Sequence, residues 1–292
     1  MTNIDALFNS FDGAFAKNTL RAYRSDLNHF ADWLLLNQHP PDPLSANAEQ
    51  WAAYVEHSAT ELAPATVRRR IDSLNTLYQL AGVSSHANAP CVVLALKRMY
   101  RSKGRRQQQA SPLTREVLHQ LLKACSQDTR GLRDQVLLHL GYETMRRRAE
   151  LCLFRFDDLI THPNGAHALL LRHSKTDQFG EGRLIGISGV LYELIMQWQT
   201  IIGDGYILRG ISAKLTVTPR LDPSAINRIL QRLQADTELD ISPPLTGHSF
   251  RVGRALDLLM EGESLEKIML RGGWKSESSA IRYLRAWTMM TD

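Results

Sequence analysis

Apolar residues in the first hundred positions recur at intervals of three and four. Residues 17–38 carry Leu20, Tyr23, Leu27, Phe30 and Leu34 at this spacing and stop before Pro40-Pro41, which predicts an amphipathic helix with one buried face. Residues 46–57 and 64–81 repeat the period, the second through Val67, Ile71, Leu74 and Leu77. Pro64 suits the first turn of its helix, where a missing N–H costs nothing, and Gly82 suits its end. A further helix is predicted over 89–99, so the first part of the chain reads as a small helical bundle. The stretch from Ser102 to Pro112 then has no apolar residue beyond an alanine and no period, the pattern of a linker.

Beyond it the helical period resumes. Thr114 is placed to cap a helix running to Cys125, and residues 131–143 predict another. The pattern changes at 166–172 and 183–187, two short apolar runs on either side of Ser174-Lys175-Thr176-Asp177 and the polar residues that follow. Such runs predict a β-hairpin with a long turn. Helices return at 190–201, at 223–234 and through the last fifty residues, punctuated by Gly247, Gly262 and Gly272-Gly273. There is no internal repeat. The fold class predicted is mainly α with a small β-sheet (α+β), divided as a helical domain over 1–104, a basic, polar linker over 105–112 and a second domain over 113–292.

Length and composition narrow the class without deciding the function. A chain of 292 residues is comfortable for two cores, and 43% hydrophobic against 22% charged residues argues for a globular protein and against a disordered one. No apolar run approaches the roughly 18–20 residues that span a bilayer, and the N-terminus lacks the basic start and apolar core of a secretory signal. The cysteines Cys91, Cys125 and Cys152 are odd in number, far apart and set among apolar neighbours. That suits buried thiols in a reducing cytoplasm and neither a disulfide frame nor a zinc site. The net charge of +5 is concentrated. Lys97, Arg98, Arg101, Lys103, Arg105 and Arg106 fall within ten residues, and Arg68, Arg69 and Arg70 lie on a predicted helix. Each cluster alone suits a solvated face; together they suggest a phosphate-binding track.

Four places carry chemistry. In Met145-Arg146-Arg147-Arg148-Ala149-Glu150-Leu151, three adjacent arginines would ordinarily be solvated, but Leu151, Leu153, Phe154 and Phe156 anchor the turn to a core. At least one arginine is therefore expected to point inward, where it needs an anionic partner, either Glu150 or a phosphate. Lys175 sits in the predicted hairpin turn, where a lysine is either solvated or reaches a groove. In Gly247-His248-Ser249-Phe250-Arg251, His248 and Arg251 are three apart and share a face at a helix N-terminus, which suits a phosphate; the plainer alternative is a capped helix with an incidental histidine. Finally, Gly272-Gly273-Trp274 precedes Tyr283 by nine residues. Alone, this reads as a core tryptophan and a surface tyrosine between Arg282 and Arg285.

The order and spacing of these elements, from about Thr114 onward, resemble the tyrosine recombinase (phage integrase) family. The resemblance implies a helical, DNA-clamping first domain and a catalytic second domain. It implies that Tyr283 is the nucleophile, that Arg147 and Arg251 are the two catalytic arginines, and that Lys175 and His248 are the hairpin lysine and the histidine. Glu150 matches the acidic residue that buttresses the site, and Trp274 stands where most members have histidine. Two arginines can hold the charge that builds on a phosphodiester during displacement. A tyrosine with an ordinary pKa near ~10 needs a proton acceptor or a cationic pocket, and His248 is the natural acceptor. Lys175 is then the group to protonate the departing 5′ oxygen, and the indole N–H of Trp274 can donate one hydrogen bond but cannot shuttle a proton.

The implied activity is site-specific DNA recombination through a 3′-phosphotyrosine and a four-way junction, for integration, excision or resolution of dimers. The implied partners are double-stranded DNA carrying an inverted-repeat site and further copies of the chain, as a tetramer on DNA and a monomer when free. No cofactor or metal and no membrane is expected, and the location is cytoplasmic. Nine residues follow Tyr283, a short segment expected to pack on its own chain or to make a reduced exchange contact with a neighbour. Two alternatives share the basic clusters: a relaxing enzyme like the type IB topoisomerases, and a DNA-binding protein that has lost catalysis. A third, an RNA- or membrane-surface-binding helical protein, rests on the basic clusters alone.

Overall fold

A computed structural model describes residues 4–105, 108–172 and 182–288, with the side chains of Arg282 and of residues 285–288 outside the description. The chain forms two compact units, Met1–Gln108 and Gln109–Asp292.

The described elements of the first unit are all helices: α1 (Ile4–Ser10), α2 (Lys17–Leu36), α3 (Ala48–Glu61), α4 (Pro64–Leu80) and α5 (Pro90–Lys103). The predicted helix over 46–57 begins two residues later and runs four further, because Asn47 and Gln50 form a reciprocal capping box at its start. The last helix outruns its predicted end at 99 and stops at Gly104, whose φ of +73° a side chain would resist. Ser102 and Lys103, read as linker, are thus helical. The core gathers Phe30, Trp33, Trp51, Tyr54 and Tyr78. Inside it the Trp51 indole N–H donates to Tyr78 Oη at 3.2 Å, so a buried polar pair is satisfied.

The second unit holds α6 (Arg115–Lys123), α7 (Thr129–Thr144), α8 (Arg148–Leu151) and a 3-10 turn at Phe156–Asp158. The strands β1 (Leu159–Thr161), β2 (His167–Leu171) and β3 (Arg183–Ile187) follow, then α9 (Gly189–Ile202), α10 (Ala225–Ala235), α11 (Ser249–Met260), α12 (Leu265–Gly272) and α13 (Glu277–Thr288). Thr114 caps α6 by accepting from the Val117 N–H at 3.5 Å. The sheet is antiparallel in the order β1-β2-β3, with Leu169 opposite both Leu159 and Ile185. The predicted hairpin is β2 and β3; its turn, residues 173–181, lies outside the described residues. β1 was not predicted, since three residues are too few for alternation to register.

Helix α11 organises this unit and packs on α6, α7, α12 and α13. Gly253 lets the Leu113 backbone lie against it: a Cβ there would sit 1.9 Å from the Leu113 carbonyl oxygen. Ser111 is buried and donates to the Pro243 carbonyl at 2.7 Å, so the end of the predicted linker is built into the second unit. The main core runs through Phe154, Trp198 and Phe250. A smaller cluster of Met145, Ala255, Leu258, Ile268 and Leu284 sits where the C-terminal helices meet the end of α7. Among the described residues no helix is long and apolar enough to cross a membrane.

Candidate active site

Helix α7 ends on Met145, which is fully buried and left-handed, with φ 54° and ψ 31°. This conformation is uncommon for a residue other than glycine, and it turns the chain sharply enough to place Arg146 and Arg147 on different sides. Arg147 stands about one-third exposed and forms an ion pair with Glu150 at 2.9 Å, while its backbone N–H donates to the other carboxylate oxygen at 3.0 Å. Burial opposes ionisation of Glu150, but the Arg147 amide and guanidinium, with Arg146 behind them, hold the carboxyl below its ordinary range. Glu150 thus fixes the arginine from one side and leaves the rest of its fork for another anion.

His248 opens α11, and Arg251 follows one turn later, 2% exposed. One Arg251 nitrogen donates to the Met145 carbonyl at 2.5 Å. Its guanidinium also lies 4.7 Å from the centre of the Trp274 ring, a cation–π contact. Tyr283 arrives on α13, its ring centre 5.0 Å from that of His248 and 5.9 Å from that of Trp274. Leu284 anchors that helix in the small apolar cluster. The turn into Trp274 needs both of its glycines. A Cβ on Gly272 would lie 2.0 Å from the Trp274 ring, and Gly273 has φ +68°. Four elements far apart in the chain therefore bring Arg147, His248, Arg251, Trp274 and Tyr283 together.

The electrostatics favour an anion. Arg251 is pushed down to about 10 by burial and then by Arg147, with Glu150 and Tyr283 acting in the opposite sense. His248 falls from 6.5 to about 4, chiefly through burial and then through the Arg251 and Arg147 guanidiniums. A neutral imidazole can accept a proton; a protonated one cannot. In the DNA-free protein, histidine NMR should give His248 a midpoint near 4. Between pH 4 and 6.5 the unfolded chain binds a proton that the folded one refuses. The stability tied to His248 is therefore complete above 6.5 and lost as the pH falls through 4. An oligonucleotide phosphate at the site should raise the midpoint, because an anion offsets the two guanidiniums; no change on binding would count against this location.

The inward-pointing arginine expected in the turn is Arg146, 2% exposed. The partner expected was Glu150 or a phosphate, but Arg146 donates instead to the carbonyls of Thr144, at 2.7 Å, and Arg271. Arg148 is exposed. Nothing in the local spacing of three adjacent arginines separates these fates. Lys175 and Arg106 lie outside the described residues. Among the described residues no group of three or more His, Cys, Asp or Glu is placed to hold a metal ion.

Many basic residues of the first unit are engaged within it. Arg68 pairs with Asp72 at 2.8 Å and Arg69 with the buried Asp26. Arg70 is 8% exposed and donates to Tyr54 Oη at 3.3 Å, so it points into the unit rather than toward a phosphate. Arg98 pairs with Glu56 at 2.5 Å, Lys103 donates to the Thr60 and Leu62 carbonyls, and Arg105 lies over the Tyr100 ring. Lys97 and Arg101 are exposed.

The fold and this constellation define a class. The Phage integrase family matches residues 112–288, and the N-terminal SAM-like domain of phage integrases matches residues 10–82. The chain belongs to the phage integrase family, the tyrosine recombinases. An integrase/recombinase xerD homolog of Selenomonas ruminantium is 29% identical over 290 residues, covering 95% of this chain and 84% of the relative. The recombinase cre of Escherichia phage P1 is 25% identical over 296 residues, covering 93% and 85%. A lambda integrase tetramer solved on a Holliday junction shares the fold, with a TM-score of 0.68 at 18% identity, covering 96% of this chain and 75% of that one.

Proposed function

We propose that this protein is a site-specific DNA recombinase that cuts and rejoins DNA through Tyr283. The observation that carries the reading is that His248 and Trp274 lie beside the ring of Tyr283, while Arg251 lies over the Trp274 ring and is tied to Met145, two residues before Arg147. Tyr283 Oη attacks the phosphorus and its proton passes to His248. The bond to the 5′ oxygen breaks, and that oxygen takes a proton from Lys175. The free N–H groups of Arg147 and Arg251 hold the non-bridging oxygens, where charge accumulates. The indole N–H of Trp274 supplies one more donor. One phosphoester is exchanged for another, so the 3′-phosphotyrosine stores the bond energy. A 5′ hydroxyl from the partner duplex releases it by the reverse path, with no metal or nucleotide cofactor.

In this reading four copies act on two DNA duplexes through a four-way junction, each on a site built as an inverted repeat. The likeness to a lambda integrase solved as a tetramer on a Holliday junction supports it. Residues 1–104 and 113–292 are the DNA-clamping and catalytic domains joined at 105–112, and Lys97 and Arg101, exposed members of the basic cluster, are cations that meet phosphates. The reaction takes place in the cytoplasm, on the DNA of the nucleoid.

The test is a supercoiled plasmid carrying two copies of an inverted repeat sought in the DNA flanking the gene, with arms of ~10–13 base pairs, about one helical turn. Recombinant circles that need both sites, with a tetramer captured by cross-linking, are the expected outcome. Relaxation of a plasmid lacking the site, by a monomer, would instead identify a relaxing enzyme. Saturated binding without cleavage would identify a DNA-binding protein.

A further inference from the structure

Arg146 is a cation that the reaction above does not use. It is buried, and the hydrogen bonds it makes go to protein carbonyls. Burying a guanidinium costs several kcal/mol in principle unless its donors are satisfied, and an aliphatic side chain would fill the same space more cheaply. Its donors go to two particular places. Nε donates at 2.7 Å to the carbonyl of Thr144, the last residue of α7, and Nη2 to the carbonyl of Arg271, in the last turn of α12. Nη1 lies against Gly273, where a Cβ would approach it to 2.8 Å. Carbonyls in a last helical turn lack partners within the helix and carry its negative dipole end. A planar fork can bridge two of them; an ammonium on a flexible stem cannot match that geometry.

These two helix ends are the two arms of the site. Thr144 leads through Met145 to Arg147. Arg271 leads through Gly272 and Gly273 to Trp274, which lies against Tyr283. Arg251 ties the same arms a second time, from the Met145 carbonyl to the Trp274 ring, but its own position depends on both.

We infer that Arg146 is a positioning residue, an internal brace that holds the arginine turn and the Trp274–Tyr283 arm at the separation cleavage requires. The inference rests on Tyr283 being the nucleophile. It requires the guanidinium itself, because only that fork spans both carbonyls. A displacement of about 1 Å between reacting groups costs on the order of 10²-fold in rate, and that sets the expected effect.

The test uses the full chain and a nicked duplex carrying its site, with binding and the single-turnover rate of covalent adduct formation measured separately. Arg146→Met should bind within a few-fold of the parent and melt with the parent's cooperativity, but form adduct about 10²-fold more slowly. Arg146→Lys should fall between the two. A substrate with sulfur in place of the bridging 5′ oxygen needs no proton on its leaving group. It should restore Lys175→Ala and leave Arg146→Met slow. Restoration of Arg146→Met would place the residue at the leaving group and overturn the inference, as would parental cleavage by Arg146→Met. Should Arg146→Met not fold, Arg146→Gln keeps a polar side chain there but loses the fork that spans both carbonyls. Slow cleavage with intact binding supports the brace, and parental cleavage overturns it. Absence of adduct from the unaltered protein would instead mark failure of the Tyr283 reading, and the brace would fall with it.

Discussion

Tyr283→Phe should bind its DNA site as tightly as the parent, within a few-fold, and form no covalent adduct on a nicked substrate resolved on a denaturing gel. The substitution removes one oxygen and nothing else. The ring keeps its places 5.0 Å from His248 and 5.9 Å from Trp274, measured between ring centres, and Leu284 still anchors the helix in its apolar cluster. Arg147 and Arg251 still present donors to a phosphate. The lost step is the formation of the phosphorus–oxygen bond, and removing a covalent nucleophile costs on the order of 10⁶-fold in well-studied hydrolases. Adduct formed by this variant would sink the assignment, because the attacking oxygen would then come from elsewhere.

Arg251→Lys should lose cleavage by about 10²–10³-fold, the usual effect of removing one donor aimed at developing charge, with site affinity nearly unchanged. The charge survives, so a long-range electrostatic role would predict little loss. What disappears is the division of labour within one planar group. One Arg251 nitrogen is committed to the Met145 carbonyl at 2.5 Å, and the guanidinium also lies 4.7 Å from the Trp274 ring centre. The nitrogens left over are thereby aimed. An ammonium is a point charge and cannot hold a carbonyl, lie over an indole and donate to a phosphate from one fixed plane. Single-turnover cleavage beside an equilibrium binding measurement separates the cases. A lysine variant cleaving within a few-fold of the parent would show that only the charge matters at this position.

Much of the architecture was open to inspection in the chain because it rests on local periodicity. The helix from Lys17 and the helix at Pro64–Leu80 follow from three-and-four spacing and a first-turn proline. The hairpin strands follow from short apolar runs around a polar turn. The misses are equally physical. β1 has three residues, too few for a period to declare itself, and α5 passed its predicted end because Lys103 and its polar neighbours carry no apolar signal. Arg70 was grouped with phosphate contacts because its neighbours are basic, yet its position on α4 turns it into the unit, toward Tyr54. A run of like charges says nothing about which member faces inward; the helical angle and the neighbouring helix decide that.

The same division holds at the site. The order and spacing of Arg147, His248, Arg251, Trp274 and Tyr283 along the chain were enough, by themselves, to point to the family and the candidate nucleophile, because a shared fold keeps that order while the chemistry demands only the residue types and their geometry. Only the tertiary structure decided what holds them. That Arg146 is buried, that it spans the ends of α7 and α12, and that Met145 turns left-handed to present its carbonyl to Arg251 all depend on segments 106 to 125 residues apart. A carbonyl at a helix end is chemically the same in every sequence. Which guanidinium it meets is set by how the helices pack, and local spacing carries no record of that.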